Sequence, residues 1–297
     1  MKPIDLVILT DQNFLSSHNK NGELQTGFVE DNILKEAFEN KGFKVLRLAW
    51  DDTTFDWTTT KAIIFRSTWD YFYRFDEFFK WLKHVSTKTR LINSEALIKW
   101  NIDKRYLLEL KNNGVHIAES YFISRNSDIT LTELHNKLGW QETVLKPCIS
   151  GTARHTYKLN ERNIVEHESI FQELINKEAM MLQPFQYDIV HKGEVSMMLI
   201  NGEFTHAVLK TAKSDDFRVQ DEFGGSVSIY QPTNEEIDFA VKTIKACFEL
   251  PLYARVDIFN DNNGKVALSE LELIEPELWF RFHSESAQLL AEAIKLD

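Results

Sequence analysis

An α/β protein that continues as α+β is the fold class this sequence predicts, on three observations. Near the N-terminus, short apolar strand-like runs alternate with a segment of helical period, the βαβ pattern of an open sheet. From about residue 91 the rhythm changes to hairpin signals with helices set between them. Near the C-terminus, residues 253–280 read as a hairpin that carries carboxylates on shared faces. At 297 residues the chain is long enough for two or three subdomains with a sizeable core.

Residues 4–10 form a largely apolar strand broken only by Asp5. Ile33, Leu34, Ala37 and Phe38 then recur at helical spacing, and Gly42 is a fitting stop. Residues 43–50 and 62–65 read as two more strands. Open α/β sheets bind ligands beyond the C-terminal ends of their strands, which draws attention to Arg66, Thr68, Trp69 and Asp70. Arginine offers a rigid fork for a carboxylate and aspartate a partner for an ammonium, so the pair suits an amino-acid-like substrate. The plainer alternative is that Asp70 caps the next helix and Arg66 pairs with it. If the acceptor pocket lies elsewhere, Arg281 and His283 behind the C-terminal hairpin are the next choice. Phe75, Phe78, Phe79, Leu82 and Val85 share one helical face and read as core.

Beyond a short strand at 91–93, residues 102–110 are expected as a helix that Gly114 ends, and 115–123 as a strand. A helix at 131–138 precedes a strand over 143–147, which carries Lys146 into the loop 148–154. Residues 157–159 can pair back, a polar helix covers 164–175, and an apolar strand covers 180–185. Strands at 194–200 and 203–209 are joined by Asn201-Gly202, a strong hairpin signal. Residues 213–223 are charged and expected to be mobile. Thr233 and Glu236 make a capping box that opens a helix to Phe248.

In the final hairpin, 256–259 and 266–274 flank a dense turn signal at 260–264, and Pro276 stops the second strand. Glu270 and Glu272 point one way, as do Arg255 and Asp257. Neighbouring carboxylates repel unless a proton or cation sits between them. Three converging from paired strands suit oxygen-seeking Mg²⁺. An amphipathic surface strand, with Leu271 and Leu273 inside and the glutamates in water, fits the same pattern.

A formal net charge of −11 argues against nucleic acid or an anionic membrane as the main partner. No apolar run approaches the roughly 20 residues of a membrane span. Asp5 directly precedes the short apolar run at residues 6–9, which does not read as a secretory signal. Two cysteines, Cys148 and Cys247, make neither a disulfide framework nor a zinc site, so a reducing cytoplasm is the expected setting.

Taken in order, Asp103-Lys104, Leu145-Lys146-Pro147, Met181-Leu-Gln-Pro-Phe185, GEVSMMLINGEFTHAVLK and the hairpin resemble the ATP-grasp superfamily, specifically its glutathione synthetase-like ligases. The RSTWDY segment and the ELELIEP ending resemble the branch that includes the cyclo-ligase of cycloserine biosynthesis. The resemblance implies a Rossmann-like N-terminal domain over 1–95 and a two-lobed ATP-grasp body, with lobes at 96–187 and 188–297. It implies a ligase that uses ATP and one or two Mg²⁺, with Mn²⁺ as an alternative ion. A small carboxylate would be activated as an acyl phosphate for an amine-type nucleophile in the same or another molecule. Asp257, Glu270 and Glu272 would hold the metal, and Lys104 and Lys146 the α- and β-phosphates. Ser150, Gly151 and Thr152 would form the phosphate loop. The backbone of the hinge Gln183-Pro184-Phe185 would read adenine, and Asp188 or Glu194 would take the ribose. Arg218 and Arg255 would face the transferring phosphoryl group. The sequence departs from many relatives in having one glycine in the loop and Glu272 in place of Asn. A homodimer is compatible with all of this. The rival readings are a small-molecule kinase or phosphatase and a nucleotide-binding module without turnover.

Overall fold

The computed structural model describes residues 2–213 and 225–296. Three sheets follow one another along the chain. The first contains β1 (Ile4–Thr10), β2 (Val45–Ala49), β3 (Thr60–Phe65) and β4 (Arg90–Ile92), all parallel in the order β2-β1-β3-β4. Helices α1 (Thr26–Asn40) and α2 (Phe75–Val85) make the crossovers that parallel strands require. Leu6, Val7, Ile8 and Leu9 are fully buried because both faces of β1 are covered. Asp5, the one polar break, is held at the sheet's end by the Lys44 N–H at 2.8 Å and Lys61 at 2.9 Å.

The connection to the second sheet departs from the sequence expectation. Instead of one helix over 102–110, α3 (Glu95–Asn101) and α4 (Tyr106–Asn112) flank a turn. The Asp103 carboxylate accepts the Arg105 N–H at 3.0 Å, and the Lys104 N–H donates to Cys148 O at 2.9 Å. Those local bonds compete with the helical ladder and place Lys104 on the turn, against the loop that follows Lys146. The second sheet contains β5 (Tyr121–Ile123), β6 (Thr143–Pro147), β7 (Tyr157–Leu159) and β8 (Met180–Pro184), antiparallel in the order β5-β8-β6-β7. It is backed by α5 (Leu131–Leu138) and α6 (Ile164–Ile175). Only the end of the strand expected over 115–123 joins this sheet. Its beginning is drawn to the C-terminal hairpin, where His116 O accepts the Leu268 N–H at 2.9 Å.

After α7 (Tyr187–Lys192), the third sheet is built from β9 (Glu194–Ile200), β10 (Glu203–Thr211), β11 (Ser226–Tyr230), β12 (Tyr253–Asn260) and β13 (Val266–Glu272). All pair antiparallel, in the order β11-β10-β9-β12-β13. The capping box opens α8 (Asn234–Lys245), which stops short of Phe248. The final helix, α9 (Glu285–Ala293), returns to the first sheet and packs beside α1. Leu6, Ile8 and Phe38 therefore share one core with Met198, Tyr253, Phe280 and Leu290. This shared core locks the first sheet to the third, and the segment after β3 lies against the end of the hairpin.

Candidate active site

The final hairpin puts charge on a buried surface. Register opposes Asp257 to Glu270 and Arg255 to Glu272. Asp257 accepts hydrogen bonds from Ser196 Oγ at 2.6 Å, Arg255 Nε at 2.9 Å and Lys210 Nζ at 3.0 Å. Burial opposes its charge, but Arg255 and Lys210 outweigh that and hold the carboxyl below the usual range. Lys210 also lies 3.1 Å from Glu194, its register partner on β9. Glu270 pairs with Lys104 at 2.7 Å, and Glu272 pairs with Arg255. Burial together with the charges of Asp257 and Glu270 pushes the Glu272 carboxyl upward despite Arg255.

These side chains form one wall of a cleft of about 340 Å³, inside the range of small-ligand sites. Lys146 and the residues of its loop, Ser150, Gly151 and Thr152, also line it, and Lys104 Nζ donates to Ser150 O at 2.7 Å. Burial draws the Lys146 ammonium below its ordinary value, while Glu270 pulls the other way. A Cβ on Gly151 would lie 2.5 Å from Phe72 Cε1, so this position has no room for a side chain. Thr152, Ala153 and His155 carry φ values of 46°, 52° and 51°, a run of left-handed residues that bends the loop back. Gln183 and Phe185 line the far end, with Lys158 3.7 Å above the Phe185 ring.

Some expected residues lie elsewhere. Asp188 does not line the cleft and pairs with Lys192 one turn along α7, which leaves Glu194 as the acid that does. Arg66, Thr68 and Asp70 also do not line it, although Trp69 does. Arg66 is 2% exposed, stacks over Tyr253 and Phe280, and donates from Nη2 to Pro276 O at 2.6 Å. Its N–H bonds to Leu9 O, continuing the sheet ladder and carrying the side chain inward. Asp70 accepts from Trp50 Nε1 at 2.7 Å and Arg74 at 2.9 Å, so it is a structural carboxylate and does not pair with Arg66. Arg281 bridges Glu30 and Glu277. His283 stacks on His206 at 4.9 Å. Arg218 lies outside the described residues.

Sequence reasoning missed Lys210, Tyr71, Phe72, Glu275 and Trp279, all of which line the cleft. Lys210 ends the GEVSMMLINGEFTHAVLK run, but regular hairpin register would set it opposite Gly193, so no local signal pointed to it.

Among the described residues, no three His, Cys, Asp or Glu side chains are grouped as ligands of one ion. Asp257, Glu270 and Glu272 are each turned toward a cation rather than toward one another. Their oxygens are nevertheless the donors a hard divalent ion takes, and they share one wall of the cleft. Release of Glu270 by Lys104 and of Glu272 by Arg255 is what would make those donors available.

The RimK-like ATP-grasp domain model matches residues 112–272, and the chain belongs to that family. Residues 6–93 match the model described as the N-terminal domain of D-cycloserine synthetase DcsG. Among curated proteins the chain is similar to the cycloserine biosynthesis protein DcsG of Streptomyces lavendulae. That likeness is 28% identity over 278 residues, covering 88% of this chain and 91% of the relative. A glutathione synthetase of Bradyrhizobium diazoefficiens is 24% identical over 198 residues, 66% of this chain and 59% of that one. The crystal structure of D-cycloserine synthetase DcsG superposes with a TM-score of 0.85 at 25% identity, covering 97% of each chain. The chain is thus an ATP-dependent ligase of the carboxylate–amine class, and ATP with Mg²⁺ is what ATP-grasp ligases use.

Proposed function

We propose that this enzyme activates a small amino-acid-like carboxylate as an acyl phosphate, which an amine-type nitrogen then attacks with release of ADP and phosphate. The observation that carries the reading is the convergence of Lys104, Lys146, Glu194, Arg255, Asp257, Glu270 and Glu272 on one cleft from separate elements. In-line phosphoryl transfer needs positioning and charge neutralisation more than covalent help, and this cleft supplies both. Lys104 and Lys146 hold the α- and β-phosphates, and the backbone of Ser150, Gly151 and Thr152 closes over them. Gln183 and Phe185 flank adenine, and Glu194 takes the ribose hydroxyls. Arg255, and Arg218 from outside the described residues, neutralise charge on the transferring group.

Asp257, Glu270 and Glu272 hold one or two Mg²⁺, with Mn²⁺ as a substitute, and the ion supplies charge neutralisation at the terminal phosphates when bound. Lys210 keeps Asp257 ionised and aligned. Residues 1–95 serve as the substrate-side domain and 96–187 and 188–297 as the nucleotide clamp. Two unpaired cysteines suit a cytoplasmic setting.

The test is turnover with Mg·ATP and pools of amino acids, reading ADP, AMP and phosphate, with hydroxylamine in parallel tubes. Hydroxamate and ADP in the same tube support the acyl phosphate. A stable phosphoester without hydroxamate would instead establish a kinase.

A further inference from the structure

Among the described residues, one carboxylate in the cleft has no cation partner. Glu275 lies just past β13 and lines the cleft with Glu272, but no Lys, Arg or His among the described residues forms an ion pair with it. Its neighbour Glu277 differs, because Arg281 neutralises it. The Tyr71 hydroxyl favours the charged form of the Glu275 carboxyl, and Trp69 Nε1 donates to the Glu275 backbone oxygen at 2.9 Å. The residue is therefore positioned by neutral groups, and no cation offsets the cost of its charge among the described residues. Burial and the nearby Glu272 push its carboxyl up to about 8.

The surroundings specify the missing partner. Trp69, which touches Glu275, and Trp279 both line the cleft. Trp279 is 2% exposed, and among the described residues its indole Nε1 has no hydrogen-bond partner. Arg255 already lies over the Trp279 ring at 5.2 Å, whereas nothing cationic is stacked on Trp69 among the described residues, and an aromatic side chain next to a carboxylate favours an organic ammonium.

On the ligase reading above, we propose that Glu275 receives the ammonium of an amino-acid substrate, with Tyr71 steadying the carboxylate and Trp69 and Trp279 as walls. Glu275 lines the same cleft as Glu272 and feels its charge, so an ammonium held there lies within electrostatic reach of the phosphate-transfer wall. The Trp279 N–H then offers a donor to a substrate oxygen. This relocates the ammonium partner from Asp70, which Trp50 and Arg74 already occupy.

The experiment uses the full chain with Mg²⁺ and a non-hydrolysable ATP analogue. The proteinogenic amino acids with D-alanine and D-serine are titrated by calorimetry, alongside propionate and 3-hydroxypropionate as des-amino partners of alanine and serine. The expected result is binding of an amino acid but not of the des-amino acids. Glu275→Gln should weaken that binding about tenfold or more, and Tyr71→Phe should weaken it less. In turnover, Glu275→Gln should raise the amino-acid KM while the ATP KM stays within about twofold. Equal binding by Glu275→Gln and wild type, equal binding of the des-amino acids, or wild-type protein that binds none of the panel would each overturn the proposal. Amino-acid binding lost in Glu275→Gln, with no ADP or hydroxamate from the wild type, would support the ammonium site and reject the ligase reading instead.

Discussion

Lys210 Nζ donates to Asp257 Oδ2 at 3.0 Å across β10 and β12, two strands that do not pair directly with each other. β9 lies between them and adds Ser196 to the same carboxylate and Glu194 to the same ammonium. Both ends of the pair are almost fully buried. Losing one partner of a buried pair strands the other charge in a medium that solvates it poorly, which typically costs more than the pair contributes. Lys210→Met should therefore lower stability by about 3 kcal/mol and reduce turnover at least tenfold. Denaturant unfolding and ADP release measure the two effects. A variant of wild-type stability and activity would remove Lys210 from the site.

The three candidate metal carboxylates should respond differently from one another. Glu270→Gln, Glu272→Gln and Asp257→Asn should each abolish measurable ADP release. Asp257→Asn should also destabilise the fold, because Arg255 and Lys210 both lean on that charge. Glu272 is crowded by Asp257 and Glu270, so Glu272→Gln should leave the melting temperature unchanged or raise it. Thermal unfolding without nucleotide separates them. If Glu270→Gln and Glu272→Gln together leave ATP turnover intact, the hairpin is an ordinary amphipathic surface.

The phosphate loop depends on one close approach. A side chain at Gly151 must displace the Phe72 ring, so Gly151→Ala should raise the ATP KM. Combining it with Phe72→Ala should recover part of the loss, since the clash is removed. Hydrogen exchange over residues 150–154 should slow on adding Mg·ATP in the wild type and less so in Gly151→Ala. Identical protection with and without nucleotide would mean that this loop does not touch the phosphates.

His206 supplies a pH dependence. Burial, with His283 stacked on it, lowers its pKa from an ordinary 6.5 to about 4, although its Nε2 hydrogen-bonds Leu278 O at 2.9 Å. Between those values the unfolded chain binds a proton that the folded one does not, so stability rises with pH. Its contribution is complete above about pH 6.5 and is lost as the pH falls toward 4. His206→Gln should flatten the stability profile in that window. An unchanged slope would show that other groups carry the acid sensitivity.

Much of the fold was legible because its signals are local. Asn201-Gly202, the Thr233–Glu236 capping box and the alternation of Glu270 with Glu272 each specify geometry within a few residues. Reading was weakest where distant bonds overrode local preference. The stretch 102–105 gave up helix for contacts to residue 148, and 115–120 left the second sheet for the hairpin.

The order of the elements, the class of site and most of its charged residues follow from local patterns, because each rests on periodicity or on a motif contained in one strand or turn. Which carboxylate faces which cation follows from packing. Counted from the Asn201-Gly202 turn without interruption, Lys210 would oppose Gly193; the bulge between Phe204 and His206 advances it to Glu194. A similar irregularity after Asp257 leaves that residue opposite Glu270. The segment after β3 shows the same limit. Its place at the end of a parallel strand is written in the chain, yet burial of Arg66 between Tyr253 and Phe280 follows from packing the first sheet on the third. One-residue register shifts and the closure of two sheets on a shared core depend on contacts distant in sequence, which no local pattern encodes.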